Sequence, residues 1–320
     1  MVRRNGTTVV GSTHMDFSAY VDRFPQPGET VVGRSFSTSP GGKGANQAVA
    51  VTRLAVEAHL ISKVGTDYLG ALLIDALRSE GVDTAHLNRD DRSATGTTLI
   101  YVDSLGENMI VVSPGTDLLV DPSDVDRAKA VLGGSAVVLT QLEIPQTTSN
   151  YALRLARTVG ARTLLNPAPA TPLAADLLKH VDVLTPNRIE LETLTDVAVR
   201  RERDAIDASR TLVHQGVACV ISTHGNQGAL VVTDTESQRI PSLRVTVRDT
   251  VGAGDAFSGA LAVALAKGAD VFESAKFANL VAALKVTRRG AQRGLPTRKA
   301  VMAFAGHQGM QRLTDEILGR

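Results

Sequence analysis

The chain has 320 residues, with 34 Lys and Arg against 33 Asp and Glu and a net charge of +1, so it carries no basic footprint for nucleic acid or an anionic membrane surface. That leaves a small-molecule partner as the expectation, in one large α/β unit with a small insertion. No apolar run approaches 18 residues, and Met1–Thr8 is polar with two arginines and no apolar signal core. The single Cys219, in the apolar run Val217–Ile221, cannot form an internal disulfide and reads as a buried small hydrophobe. Together these features predict a cytoplasmic protein, and the seven histidines show no metal-ligand spacing.

Thr7–Gly11 is a short β-branched run closed by glycine, and the polar Ser12-Thr13-His14-Met15-Asp16 falls beyond the carboxyl end of that first strand, where open α/β sheets bind ligands. Asp16 is therefore either a ligand contact or a turn-forming Asp. Phe17–Val21 and Thr30–Ser37 read as strands around the turn-rich Pro25-Gln26-Pro27-Gly28, with no helix between them, which suggests an inserted β-ribbon. Gly41-Gly42-Lys43-Gly44-Ala45-Asn46 then opens a helix whose Ala45, Ala48, Val49, Thr52 and Ala55 run close to a helical period. The turn has neither Walker A nor dinucleotide spacing. Its glycines read as room for a polyhydroxylated ligand, with Lys43 and Asn46 as hydrogen-bonding partners; the competing reading is a tightly packed strand-to-helix turn.

From His59 the rhythm becomes β then α: a strand over His59–Val64, then a helix over Tyr68–Glu80 stopped by Gly81. Thr97–Val102 and Asn108–Val112 read as a second hairpin, which with the first ribbon makes a small β-lid. Ala136–Leu142, Arg162–Leu165, Val181–Thr185 and Ala218–Ser222 have the character of buried parallel strands. Beyond their carboxyl ends stand Glu143, then Asn166-Pro167-Ala168-Pro169-Ala170, then Asn187. Asn187 and Glu190 read either as contacts to a nucleotide phosphate and its hydrated Mg²⁺ or as a capping box. Thr223-His224-Gly225-Asn226-Gln227-Gly228, before a strand over Ala229–Thr233, reads as a polar turn placed where it could cover a nucleotide.

The run that draws these pieces together is Asp249-Thr250-Val251-Gly252-Ala253-Gly254-Asp255, joining a β-like segment, Leu243–Val247, to a small-residue helix predicted over Ala256–Lys267. The two glycines permit turn conformations closed to other residues, and the helix start aims unpaired N–H groups into the turn, which suits a phosphate. Asp255 falls in the first helical turn, where the dipole favours a carboxylate, so it is expected to be ionised at neutral pH. A carboxylate facing a transferable phosphoryl group suits deprotonation of an attacking hydroxyl. Taken alone, the run reads as an Asp capping a helix after a glycine turn; the motifs elsewhere in the chain favour the catalytic reading.

In order and spacing, from about Val9 to Pro296, these motifs resemble the ribokinase-like carbohydrate kinase family. The resemblance is carried by Gly41-Gly42-Lys43-Gly44-Ala45-Asn46-Gln47-Ala48-Val49-Ala50, by Gln141-Leu142-Glu143, by the Asn166–Ala170 run, by Thr185-Pro186-Asn187 with Glu190, by the Asp249–Asp255 run, and by Val286-Thr287-Arg288-Arg289-Gly290-Ala291-Gln292. It implies a three-layer sandwich with a mostly parallel central sheet, in which residues 1–12, 41–94 and 113–320 form the core and residues 13–40 and 95–112 form a β-lid that closes on the sugar and clasps a second subunit. It implies ATP-dependent phosphorylation of D-ribose at the 5-hydroxyl, with Asp255 as base and the N–H groups of Gly252, Ala253 and Gly254 as anion hole. His14, Asp16, Gly42, Lys43, Asn46 and Glu143 occupy sugar-contact positions. Asn187, Thr223, His224, Gly225, Asn226, Gln227, Gly228, Gly254 and Asn279 match ATP contacts, and Glu190 would serve Mg²⁺ through water. Family members also bind a monovalent cation, K⁺ here, at positions matching Asp249, Val251, Lys285, Arg288, Gly290 and Gly294, mostly through backbone carbonyls.

Two departures stand out. Position 14 holds His14 where many members have Asn, which opens the alternative of a kinase for 2-deoxyribose or another small furanose. Position 294 holds Gly294 where Ser is common, which touches the geometry of the cation site. A non-catalytic sugar-binding member of the fold is the alternative from another class, disfavoured by the intact Asp255 turn; a nicotinamide-dependent oxidoreductase would need a dinucleotide turn that the chain lacks.

Overall fold

The computed structural model describes residues 6–319; residues 1–5, read above as part of a polar N-terminus, lie outside the described residues. In chain order the strands are β1 (Thr7–Val10), β2 (His14–Tyr20), β3 (Ser35–Gly41), β4 (Ala58–Gly65), β5 (Leu87–Asp90), β6 (Gly96–Val102), β7 (Asn108–Ser113), β8 (Val137–Thr140), β9 (Arg162–Leu165), β10 (Val183–Leu184), β11 (Cys219–Thr223), β12 (Ala229–Thr233) and β13 (Ser237–Ile240). Nine of them form a central sheet in the order β13-β12-β11-β10-β9-β8-β1-β4-β5. It is parallel from β11 to β5, and only β12 and β13 run antiparallel to their neighbours.

The two-residue period of a strand explains why the sheet is covered on both faces. Val9, Leu139, Leu164 and Ile221 join the core made with the helices Lys43–Arg53, Ala253–Ala266 and Val271–Lys285. Their neighbours Val10, Val138, Leu165 and Val220 face the other layer, which contains the helices Gln146–Thr158 and Glu202–His214. The result is the expected α/β three-layer sandwich. Among the described residues, no helix is long and apolar enough to cross a membrane.

The second sheet, β3-β2-β6-β7, is built from the two helix-free hairpins. Its strands are placed differently from the sequence expectation: β2 starts at His14 rather than Phe17, and β3 runs from Ser35 to Gly41 rather than from Thr30 to Ser37. The ladder is anchored at its core end, where His14 pairs with both Gly41 and Gly96. A Cβ at position 41 would lie 2.3–2.5 Å from the Asp16 carboxylate, so the absence of a side chain there makes room for that group. Asp16 therefore stands in a strand, and the turn-forming reading is excluded.

Three further differences concern the nucleotide half and the far edge. Leu243–Val247 forms no strand: the sheet ends at β13, and the segment pairs with none of its strands. The helix expected from Ala256 begins at Ala253. β5, with the polar sequence Leu-Asn-Arg-Asp, has no β-branched residue to announce it.

Candidate active site

The helix Ala253–Ala266 is buried from Asp255 to Leu265 and lies against the helix Lys43–Arg53. Gly259 sits at the crossing, where an added Cβ would come within 2.5 Å of Ala50 Cβ and 3.1 Å of the Gln47 carbonyl. This close approach carries two side-chain amides to Asp255. Asn46 Nδ2 donates to one carboxylate oxygen at 2.9 Å and Gln47 Nε2 donates to the other at 3.0 Å. Gln47 also donates to Asn166 Oδ1 at 3.0 Å and accepts from Gln141 Nε2 at 2.5 Å, so the carboxylate terminates a buried polar chain. Asn46 Oδ1 remains without a partner, a buried acceptor free for a ligand hydroxyl.

Asp255 is only 7% exposed, so burial acts on it beside the helix dipole that the sequence suggested. Burial pushes its carboxyl above the usual carboxylate value, while the Lys43 charge and the Asn46 and Gln47 amides pull it back down. Gly252, the residue before the helix, has φ 77°, a left-handed conformation suited to glycine. The anion hole also differs in one member: Ala253 N–H is spent on Thr250 O at 3.1 Å, whereas the N–H groups of Gly252, Gly254 and Asp255 have no acceptor among the described residues. A Cβ on Gly254 would meet open space. That space belongs to a solvent-open cleft of ≈ 560 Å³, bounded by Gly252, Gly254, Asp255, Lys43, Asn187 and Glu190 among others.

On the sugar side, Lys43 looks into the cleft and makes no ion pair among the described residues. Burial opposes its charge, but Asp255, Glu143, Glu190 and Asp16 together hold its pKa above the ordinary value. Glu143 accepts both Ser12 Oγ at 2.5 Å and the Lys43 backbone N–H at 2.9 Å, so it caps the start of the helix Lys43–Arg53. The glycines beside it are required by packing, whatever a ligand adds. A Cβ at Gly42 would lie 2.8 Å from Ser12 O, and one at Gly44 would lie 2.7 Å from the Gly11 and Ser12 backbone.

His14 is buried and wedged between two carboxylates. Its Nδ1 lies 3.0 Å from Asp117 Oδ2, and its Nε2 lies 3.6 Å from Asp16 Oδ1, beyond hydrogen-bonding reach. Asp117 also accepts the Thr13 N–H at 2.8 Å. Burial pulls the imidazole pKa down, but Asp117, with Glu143 and Asp16, outweighs it and raises it to about 9. Burial in turn lifts Asp117 to about 6 despite His14, so the two form an ionised pair at neutral pH. Burial raises Asp16 as well, partly offset by His14 and by a hydrogen bond from Thr98.

On the nucleotide side, Asn187 and Glu190 form the capping box and also border the cleft. Asn187 Oδ1 accepts the Glu190 N–H at 2.9 Å and Glu190 Oε2 accepts the Asn187 N–H at 2.7 Å, so the capping-box reading holds, and it leaves the pair at the cleft wall. Of the Thr223–Gly228 turn, only Thr223 borders the cleft. His224 bonds to Gly228 O and Ser222 within the turn, Gly225, Asn226 and Gln227 form a single 3₁₀ turn, and Asn279 donates to Pro241 O at 2.9 Å, outside the cleft wall.

Residues 5–298 match the pfkB family carbohydrate kinase. The chain belongs to that family. This pfkB kinase is 36% identical over 304 residues to a ribokinase of Haemophilus influenzae, covering 95% of this chain and 99% of the relative. It is 35% identical over 290 residues to a deoxyribokinase of Salmonella typhi, covering 90% and 95%. Its structure is similar to that of the Arabidopsis thaliana ribokinase complexed with ribose and ATP, with a TM-score of 0.87 and 28% identity over 94% of this chain and 98% of the other.

The geometry of this pfkB kinase adds two residues that the sequence reading passed over. Gln47 was legible as an amide inside an otherwise small and apolar helix face. Asp117 follows the lid strand β7 in a short Gly-Thr-Asp turn, and nothing local marks it as the partner of a residue 103 positions earlier. The charged His14–Asp117 pair gives a direct test by NMR titration of the imidazole. The His14 resonance is expected to hold its charge until about pH 9 and to titrate lower in Asp117→Asn, because loss of the carboxylate leaves burial as the larger effect. Titration of wild-type His14 near the ordinary 6.5 would contradict the pairing.

Proposed function

We propose that this kinase transfers the γ-phosphoryl group of ATP to the 5-hydroxyl of D-ribose, giving D-ribose 5-phosphate. The observation that carries the reading is Asp255: a buried carboxylate with both oxygens held by side-chain amides, one residue from Gly254 N–H at the mouth of a cleft. In this reading Asp255 takes the proton of the attacking hydroxyl. The free N–H groups of Gly252 and Gly254 receive the charge that develops on the transferring group. Lys43 adds a cation between the two substrates, and Asn46 Oδ1 accepts a sugar hydroxyl. The ribokinase relatives and the ribose and ATP bound to the Arabidopsis thaliana protein support the choice of substrates.

Asn187 and Thr223 border the nucleotide end, where Glu190 offers one carboxylate beside the cleft. A lone carboxylate together with substrate phosphates suits Mg²⁺, which keeps most of its waters. Bound there, the ion would neutralise phosphate charge. The lid supports a homodimer: Phe36, Met109, Ile110, Val111 and Val112 are each more than half exposed on its sheet, an apolar surface of the kind that marks a protein interface. A reducing cytoplasmic setting accords with the buried free thiol of Cys219.

Replacing Asp255 by Asn is expected to leave ribose and ATP binding in place, measured by calorimetry, while kcat falls by roughly 10²–10⁴ as for loss of a positioned general base. Wild-type turnover in that variant would remove Asp255 from the chemistry.

A second reading, a 2-deoxyribose kinase, has some support from the Salmonella typhi relative and from the charged His14 beside Asp16. The distance favours the ribose reading. At 3.6 Å His14 is an ionic neighbour and not a hydrogen-bond donor to Asp16, so beyond the Thr98 hydrogen bond the carboxylate keeps room for hydroxyl donors from a ligand. D-ribose is therefore expected to exceed 2-deoxyribose in kcat/KM by at least about tenfold, and Asp16→Ala should compress that ratio more than His14→Asn. Equal kcat/KM for the two sugars at saturating ATP would transfer the assignment to the deoxyribose reading.

A further inference from the structure

The positions that the family resemblance assigns to a monovalent cation do not fit a free ion. K⁺ is held by carbonyl oxygens that replace its hydration shell, and Lys285 was expected to contribute only its carbonyl. Instead its side chain is turned inward. Lys285 closes the helix Val271–Lys285, is 0% exposed, and donates from Nζ to the Asp249 carbonyl at 3.0 Å. Two other expected ligands are already engaged: Lys285 O accepts the Arg288 N–H at 2.9 Å and Gly290 O accepts the Gly294 N–H at 3.1 Å.

Gly294 completes the picture. A Cβ at this position would come within 3.0 Å of Lys285 Cε, with the Arg289 and Arg288 carbonyls at 3.2 and 3.4 Å. A side chain there would crowd the lysine arm, so Gly294 and the inward-turned Lys285 belong together: one fills the site and the other leaves space for it. Lys285 makes no ion pair among the described residues, although an unpaired buried charge is costly unless something requires it. Asp249, whose carbonyl it holds, braces the loop through its carboxylate, which accepts the Val251 N–H at 2.9 Å and the Gly290 N–H at 2.7 Å. That loop continues into Gly252 and Asp255.

We propose that the Lys285 ammonium is this kinase's built-in monovalent cation, a tethered charge that holds the Asp249–Asp255 loop in its working shape and makes catalysis independent of K⁺. The inference rests on the phosphoryl-transfer reading of that loop. Lys285 acts as a positioning residue, since it reaches the anion hole only through the Asp249 carbonyl. A free K⁺ at the same carbonyl would stand against the ammonium, like charge on like charge.

The test compares K⁺ with tetramethylammonium at matched ionic strength, reading turnover of D-ribose with ATP and Mg²⁺ and, separately, the melting temperature. Wild-type turnover is expected to change by less than about twofold between the salts, and its melting temperature should not respond to K⁺. The double variant Lys285→Ala/Gly294→Ser should lose turnover in tetramethylammonium, recover by about tenfold or more with K⁺, and melt higher in K⁺. Wild-type turnover that rises about tenfold with K⁺, or a wild-type melting temperature that K⁺ raises, would overturn the proposal even if the variant does not fold. A folded variant indifferent to K⁺ would also overturn it. Absence of turnover in every salt would instead remove the kinase reading, with the melting comparison still deciding the cation.

Discussion

Two amides on one carboxylate organise this molecule. Asn46 and Gln47 occupy consecutive positions at the start of one helix and reach the two oxygens of Asp255 at the start of another. Burying a carboxylate costs several kcal/mol, and charge-assisted hydrogen bonds return about 1.5–3 kcal/mol each, so the group is tolerable only while both amides stay in register. Register depends on how closely the helices pack, and that depends on Gly259, whose missing side chain lets Ala50 and the Gln47 carbonyl come into contact. A small residue in the core thereby positions a charged one at the surface of the cleft.

The two substrate ends meet at this point because the strand ends do. β1, β8 and β9 deliver the Gly11–Asp16, Gln141–Glu143 and Asn166 segments to one edge of the sheet, the edge where parallel α/β sheets bind their ligands. Lys43 lies between the ends and feels the carboxylates of both. The lid is tied into the same edge by the His14–Asp117 pair, which joins the first residue of β2 to the turn after β7. His14 and Asp16 share the strand β2, so the same ion pair fixes where that strand presents the Asp16 carboxylate.

Much of this was legible before any coordinates. The buried strands declared themselves as apolar runs, and the alternation of their residues between two cores followed from the strand period. The Asp249–Asp255 run announced a glycine turn at a helix start with unpaired N–H groups. What local sequence could not supply were contacts across long separations. Asp117 has no motif of its own, and Lys285, matched to a cation position through its carbonyl, gives no local sign that its arm turns inward over Gly294. The glycines after β3 were left open between two readings for a related reason: a glycine required by a neighbouring backbone, as Gly42 and Gly44 are, and one required by a ligand look alike in sequence. Leu243–Val247 failed as a strand although its residues suit one, because where a sheet ends is a property of the whole topology and not of local sequence.

The account rests on Asp255 being a buried base tuned by its two amides, and the pH dependence of kcat/KM measures this most directly, since its acidic limb reports the ionisation of an essential base in the free enzyme. Burial places that limb above the ordinary carboxylate range. Gln47→Leu removes a donor that favours the charged form, so the limb should move further upward in pH. A limb in the ordinary carboxylate range, or one that stays in place when Gln47 is replaced, would contradict the account.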